Sequence, residues 1–244
     1  MKARLDHRWD LSPREAVALQ HRLAPRVIAR GEPPPSPFLV AGCDAAGGGR
    51  WARGDERITA AVIVWRFPGW KRIAAAWAQG PSPMPYVPGL LSFREIPLYL
   101  RAFEQLPIRP DILLCDGQGI AHPRGLGLAA HLGLLFDLPS IGVAKSRLIG
   151  EYRPPGRARG CAPALRHRGR LLGRVLRTQR DVRPLFVSPG HRIGVDAAAR
   201  LVLRLAPWHR LPEATRLADQ WVGRLRREGA VPPPEIHPPR RRRG

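Results

Sequence analysis

The sequence predicts a single α/β domain, a mixed β-sheet flanked by helices, and three observations predict it. Residues 111–146 read as strand, loop, helix and second strand, a βαβ unit whose two strands run parallel. Residues 38–78 hold three apolar runs broken by turn residues, the pattern of an antiparallel meander. Around both lie segments with apolar residues at helical spacing. The domain is expected to span residues 1–229, and residues 230–244 to form a basic, Pro/Arg-rich disordered tail.

Taken in order, Ser12-Pro13-Arg14-Glu15 reads as a capping box with proline at the first helical position, opening an amphipathic helix through Leu19, Leu23 and Val27. Residues 31–37 are a proline-rich connector. Phe38 begins a strand ending at Asp44, and after a glycine-rich loop at 47–55 two further strands are expected at 58–67 and 72–78. Pro85 and Pro88 stiffen a loop around Tyr86, which reads either as a rigid aromatic wedge or as a core tyrosine in a turn. Ser92 is expected to N-cap the next helix with Glu95 at its third position, a capping role that competes with catalysis. In the βαβ unit, Ile112 to Cys115 form a buried strand, 126–138 the helix that Pro139 stops, and 141–144 the second strand. Residues 150–169 look irregular and strongly basic, suited to phosphate contact and equally to a solvated insert. Strands follow at 172–177 and 184–187. Asp196 is expected to cap a helix to Leu205, and the last helix, 212–228, carries Asp219, which by itself reads as a surface charge.

Composition narrows the function. A net charge of +22 repels itself unless a polyanion neutralises it, and nucleic acid is the obvious candidate, although the richness in Pro, Gly, Ala and Arg also fits a GC-rich genome. Lysine occurs only at Lys2, Lys71 and Lys145, so Lys145 marks a place where a compact ammonium is wanted rather than mere charge. Cys43, Cys115 and Cys161 make an odd set without paired spacing, which argues against a disulfide framework and a zinc site and suits a reducing cytoplasm. No apolar signal core and no run of ~20 apolar residues is present, so a soluble, cytoplasmic monomer is expected.

The candidate chemistry sits at strand ends. In open α/β sheets ligands bind beyond the carboxyl ends of the strands, where Asp116 and Lys145 would emerge together. If the strand ending in Asp44 lies beside that of Asp116, two carboxylates meet at one edge, and they repel strongly unless they share a cation. Taken alone, Asp116 would merely begin an Asp-Gly turn.

Longer motifs carry a resemblance. FLVAGCD at Asp44, PYVPGLLSFRE from Tyr86 to Glu95, DGQGIAHPRGLGLAAHLG from Asp116, GVAKS around Lys145, VLRTQRDVRPLFVSPGHRI from Val175 and LPEATRLAD ending at Asp219 follow one another in order. Over nearly its whole length the chain resembles endonuclease V, a deoxyinosine-specific nuclease family with an RNase H-like fold. The resemblance implies metal ligands at Asp44 and Asp116, with Glu95 and Asp219 completing an acidic cluster and Lys145 beside it. It puts Tyr86 in the wedge position and a flipped base among main-chain groups around Gly89, Leu91 and Gly117, with His122 at the pocket wall. The loop after Asp44 is longer, and the region from Arg157 to Arg170 more basic, than the family pattern.

Residues and resemblance converge on metal-assisted phosphodiester hydrolysis, and the resemblance implies the second bond 3′ to deoxyinosine in single- or double-stranded DNA, leaving 3′-OH and 5′-phosphate. Hard oxygen ligands suit Mg²⁺, with Mn²⁺ as a substitute. Two other classes stay open: a ribonuclease acting on inosine-containing RNA with the same carboxylates, and a non-catalytic basic nucleic-acid-binding protein.

Overall fold

The strand-forming stretches pair into one eight-stranded sheet, seen in a computed structural model that describes residues 1–47 and 57–236. The expectations for the loop at 48–56 and for residues 237–244 of the tail lie outside the described residues. The strands are β1 (Phe38–Ala46), β2 (Arg57–Phe67), β3 (Lys71–Pro81), β4 (Ile112–Cys115), β5 (Ser140–Ala144), β6 (Ala164–His167), β7 (Arg170–Leu176) and β8 (Leu185–His191), in the order β3-β2-β1-β4-β5-β8-β7-β6. The meander is present as β1 to β3, antiparallel, while β1 pairs parallel with β4 and β4 with β5. The sheet is therefore mixed. Among the described residues no helix is long and apolar enough to cross a membrane.

Side-chain alternation divides the sheet into two buried faces. Val40, Ile112, Leu114, Ile141 and Val143 point to the face covered by α4 (Val195–Leu205) and α5 (Glu213–Glu228), where they meet Leu201, Leu217 and Trp221. Ala41, Cys43, Leu113 and Cys115 point to the opposite face, against Ile96 and Phe103 of α2 (Leu91–Glu104) and Leu132 of α3 (Leu128–Phe136). All four residues of β4 are fully buried, which explains their unbroken apolar run. Truncating such a side chain, Leu114→Ala for instance, should cost ~2–5 kcal/mol of stability.

Local chemistry sets most of the boundaries. The capping box of α1 (Pro13–Leu23) is formed, Ser12 and Glu15 each satisfying the other's backbone N–H. Helix α3 is shorter than expected because Asp137 takes a left-handed conformation (φ 50°) that ends it before Pro139.

Three expectations are corrected. Ser92 is not a cap: Leu90 holds the N-cap position of α2, and the Ser92 hydroxyl is buried against His131 instead. Asp196 lies in the first turn of α4, whose N-cap is Gly194, and pairs with Arg174. Residues 150–169 are not wholly irregular, since 164–167 pair with β7 as the edge strand β6 and Glu151 bridges to Arg166. The start of the tail is held as well. The Trp221 indole donates to the Val231 carbonyl, Arg72 pairs with Glu235, and Val231 and Ile236 pack on the core.

Candidate active site

The same alternation that builds the faces aims the chemistry. Asp44 is two residues past Gly42, Asp116 two past Leu114 and Lys145 two past Val143, so all three project toward the side on which α5 lies. Helix α5 comes close because Gly42 has no side chain: a Cβ there would lie 2.0 Å from the Ala214 carbonyl oxygen. Five residues beyond Ala214, Asp219 meets the strand ends. Carboxylate oxygens of Asp44, Asp116 and Asp219 lie within 4.8 Å of one another.

Lys145 spans two of them, its Nζ 2.6 Å from Asp116 Oδ2 and 3.2 Å from Asp219 Oδ1. Burial disfavours its charge, but these two carboxylates outweigh that and hold its pKa above the usual lysine value. Arg210 fixes its backbone, donating from Nη2 to the Lys145 carbonyl at 3.1 Å while also bonding the Arg183 and Pro184 carbonyls. Asp44 is 5% exposed, and its pKa is pushed up to about 8, first by burial and then by the charges of Asp116 and Asp219, with Lys145 opposing. Glu95, on α2, is not among the three carboxylates within 4.8 Å but is near enough to feel the Asp44 and Asp116 charges. Only partly open to solvent, it has its pKa raised well above the carboxylate range by burial and then by Asp44 and Asp116.

Beside the carboxylates opens a cavity of about 400 Å³ whose lining includes Asp116 and Lys145. Tyr86, Gly89, Leu91, Gly117 and His122, the residues expected to bind substrate, all line it. The Tyr86 ring is 41% exposed at the rim, so the core-tyrosine reading is excluded, and the Arg94 guanidinium lies 5.9 Å from its centre. Behind it, Gly89 (φ +81°) turns its carbonyl toward three donors: Gln20 Nε2 at 3.0 Å, His122 Nε2 at 3.0 Å and Arg124 Nη2 at 2.8 Å. Burial, then the Arg124 charge, lowers the His122 pKa to about 4, so at neutral pH its ring is an uncharged wall.

Some contributors escaped the sequence reading. Gln20 is fully buried on the apolar stripe of α1 with Ala16, Leu19 and Leu23, and a polar residue on such a stripe is a legible signal. Leu148, 46% exposed, lines the cavity and carries no local signal. Gln118, a lining residue, holds the Ser146 carbonyl through Nε2, while its Oε1 is buried with no hydrogen-bond partner among the described residues.

The mixed eight-stranded sheet flanked by helices is an RNase H-like fold. The sequence profile of the Endonuclease V family matches residues 21–220. Endonuclease V of Nostoc punctiforme is 46% identical over 90% of this chain and 98% of its own. The crystal structure of endonuclease V from Streptomyces avermitilis superposes with a TM-score of 0.84 at 42% identity, covering 95% of this chain and all of that one. Endonuclease V of Ciona intestinalis, in complex with a 24mer DNA containing an inosine followed by a ribo-adenosine, shares the fold at 23% identity, with a TM-score of 0.74 over 88% of this chain and 98% of its own. The chain belongs to the endonuclease V family, and its family is one of nucleases.

Proposed function

We propose that the protein is a DNA repair endonuclease that recognises deoxyinosine, the product of adenine deamination, in single- or double-stranded DNA. It hydrolyses the second phosphodiester bond 3′ to the lesion and leaves 3′-OH and 5′-phosphate. The carrying observation is the trio of carboxylates within 4.8 Å at the mouth of a cavity large enough for a base. The inosine-containing DNA held by the Ciona protein supports the same substrate class.

The donor set fits a hard divalent cation, because oxygens this close repel one another without one, and Asp44 already carries a pKa raised by burial and then by Asp116 and Asp219. Asp44 and Asp116, with Asp219 alongside, would hold Mg²⁺ or in its place Mn²⁺. Such an ion, when bound, lowers the pKa of an attacking water and offsets charge on the phosphoryl oxygens. Lys145, charged at neutral pH, stands where negative charge builds on the phosphate and stabilises it from a fixed position. Glu95, whose pKa burial and then Asp44 and Asp116 push upward, borders the cluster from α2.

Lesion reading needs the base out of the stack, which costs least where pairing is already weak, as at inosine. The exposed Tyr86 ring fills the gap, and the pinned Gly89 turn keeps that ring in place. In the cavity, Gly89, Leu91 and Gly117 offer backbone groups to a flipped base. The free cysteines accord with work in a reducing cytoplasm.

The test is a nicking assay on matched inosine-containing DNA and RNA oligonucleotides with and without Mg²⁺. Cation-dependent cleavage of the DNA, absent when adenine replaces inosine, is expected. Cleavage of RNA alone would replace the substrate class by the ribonuclease reading, and binding without cleavage of either would leave a non-catalytic protein.

A further inference from the structure

On the far side of His122 lies a second cavity, about 720 Å³, and the His122 ring lines both. One wall is the end of α1 and the turn after it, with His21 and Pro25. The other is the β6–β7 hairpin, with His167, Arg168 and Arg170, and Arg124 lies between. No carboxylate lines this groove, and neither Arg168 nor Arg170 has an ion-pair partner among the described residues. Both are exposed.

The hairpin presents these cations from a rigid turn. Arg168 (φ 49°) and Gly169 (φ 77°) are both left-handed, the signature of a tight two-residue hairpin, and Arg166 Nη1 braces the turn by donating to the Gly169 carbonyl at 3.1 Å. Charge on an edge strand also deters pairing with other sheets. That purpose is served by either sign, and it gives no reason for cations to face α1 across a groove that shares the His122 ring with the base cavity.

We propose that the groove is a backbone track. It takes the sugar-phosphate chain of the lesion strand as that strand leaves the base cavity, with Arg168 and Arg170 contacting successive phosphates. The identity of the strand rests on the inosine reading above, whereas the polyanion chemistry of the groove does not. The contacts are blind to base sequence, so they add affinity without adding lesion preference.

The experiment compares the full chain with Arg168→Gln/Arg170→Gln and with Arg168→Glu. Cation-free binding is measured across a salt series to single-stranded DNA with inosine, the same DNA with adenine, and two truncated oligonucleotides that end beside the inosine on one side or the other. The double variant should lower the slope of log K against log salt by about 1.4, two contacts at ~0.7 each on a single strand. It should weaken inosine and adenine DNA by the same factor and leave binding unchanged on one of the truncated DNAs. Where cleavage is seen, the loss should fall on KM. An unchanged salt slope in both variants, with thermal melts like the wild type, overturns the track and leaves the arginines as guards of the sheet edge. Failure of the wild type to cleave inosine DNA would sink the proposed function while the slopes still decide the groove.

Discussion

Helix α2 feeds two buried polar clusters from residues one turn apart, and they solve the cost of burial in opposite ways. Ser92 belongs to a knot in which its hydroxyl meets His131 Nδ1 at 3.2 Å and His131 Nε2 meets His7 Nε2 at 2.8 Å. Trp9 stacks on the His131 ring, and Phe93 meets it edge-on. Burial, then His7, lowers the His131 pKa to about 3, and burial lowers that of His7, so both rings stay neutral and each partners the other. Glu95 borders the carboxylate cluster, where charge is not settled internally. Lys145 spans Asp116 and Asp219 and the Arg94 charge eases Glu95, yet Asp44 still titrates near 8. The difference separates architecture from chemistry: a satisfied neutral knot needs nothing from outside, whereas crowded carboxylates need a cation.

The largest effect should come from Asp116→Asn and Asp44→Asn. Each should lower single-turnover cleavage of inosine DNA by about a thousandfold or more, because charge at the reacting phosphate is lost. Binding to that DNA should hold or tighten. Near-normal cleavage in either variant would remove that aspartate from the site and make the cluster as structural as the knot.

Tyr86→Ala should come next. It leaves the carboxylates whole but forfeits stacking worth ~1–3 kcal/mol, about five- to a hundredfold in rate. Single-turnover assays at saturating Mg²⁺ should show the loss in duplexes and much less of it in single strands, where no stack is held apart. Equal losses on both would reduce the ring to a packing element of its turn.

Crowding should also be visible without substrate. The folded pKa of Asp44 lies near 8, above its ordinary value of 3.8, so the folded state holds its proton more tightly than the unfolded chain. That contribution to stability is complete below pH 3.8 and is lost as pH rises through about 8. In cation-free buffer the melting temperature should therefore fall between pH 5 and 9, and more steeply than in Asp44→Asn. Mg²⁺ at about a hundred times its Kd adds ~2.7 kcal/mol, roughly 5–10 °C for a chain of this size. Parallel pH profiles for the two proteins would mean that Asp44 is not crowded in solution.

Much of this site was legible, and the parts that were not share a cause. Asp116 and Lys145 announced themselves by ending apolar runs, and the parity that aims them can be read from Leu114 and Val143 two residues earlier. Asp219 was legible only through the family resemblance, since its arrival depends on how closely α5 approaches Gly42, a packing fact with no local sign. Ser92 misled because its spacing to Glu95 fits a capping box, while the hydroxyl found a tertiary partner in His131, 39 residues away. Strand β6 was hidden by its own arginine and histidine. Its pairing to β7 is a backbone matter that an exposed edge strand allows without apolar alternation.

The smallest effect on catalysis should come from the knot. His131→Leu strips partners from Ser92 and His7, which should cost ~1–3 kcal/mol of stability, or roughly 2–12 °C in melting temperature at pH 7. It also removes a titration. The folded pKa of His131, about 3, is below its ordinary 6.5, so its contribution is present above pH 6.5 and lost as pH falls toward 3. The wild type should therefore lose stability between pH 7 and 4.5 more steeply than the variant does. Cleavage by the folded variant should stay within about twofold of wild type, because no member of the knot holds charge at the phosphate. Melts and single-turnover rates on the same preparations decide it. A variant that melts normally yet has lost cleavage would show the knot setting the position of α2, and through it Glu95, and the division between the two clusters would fail.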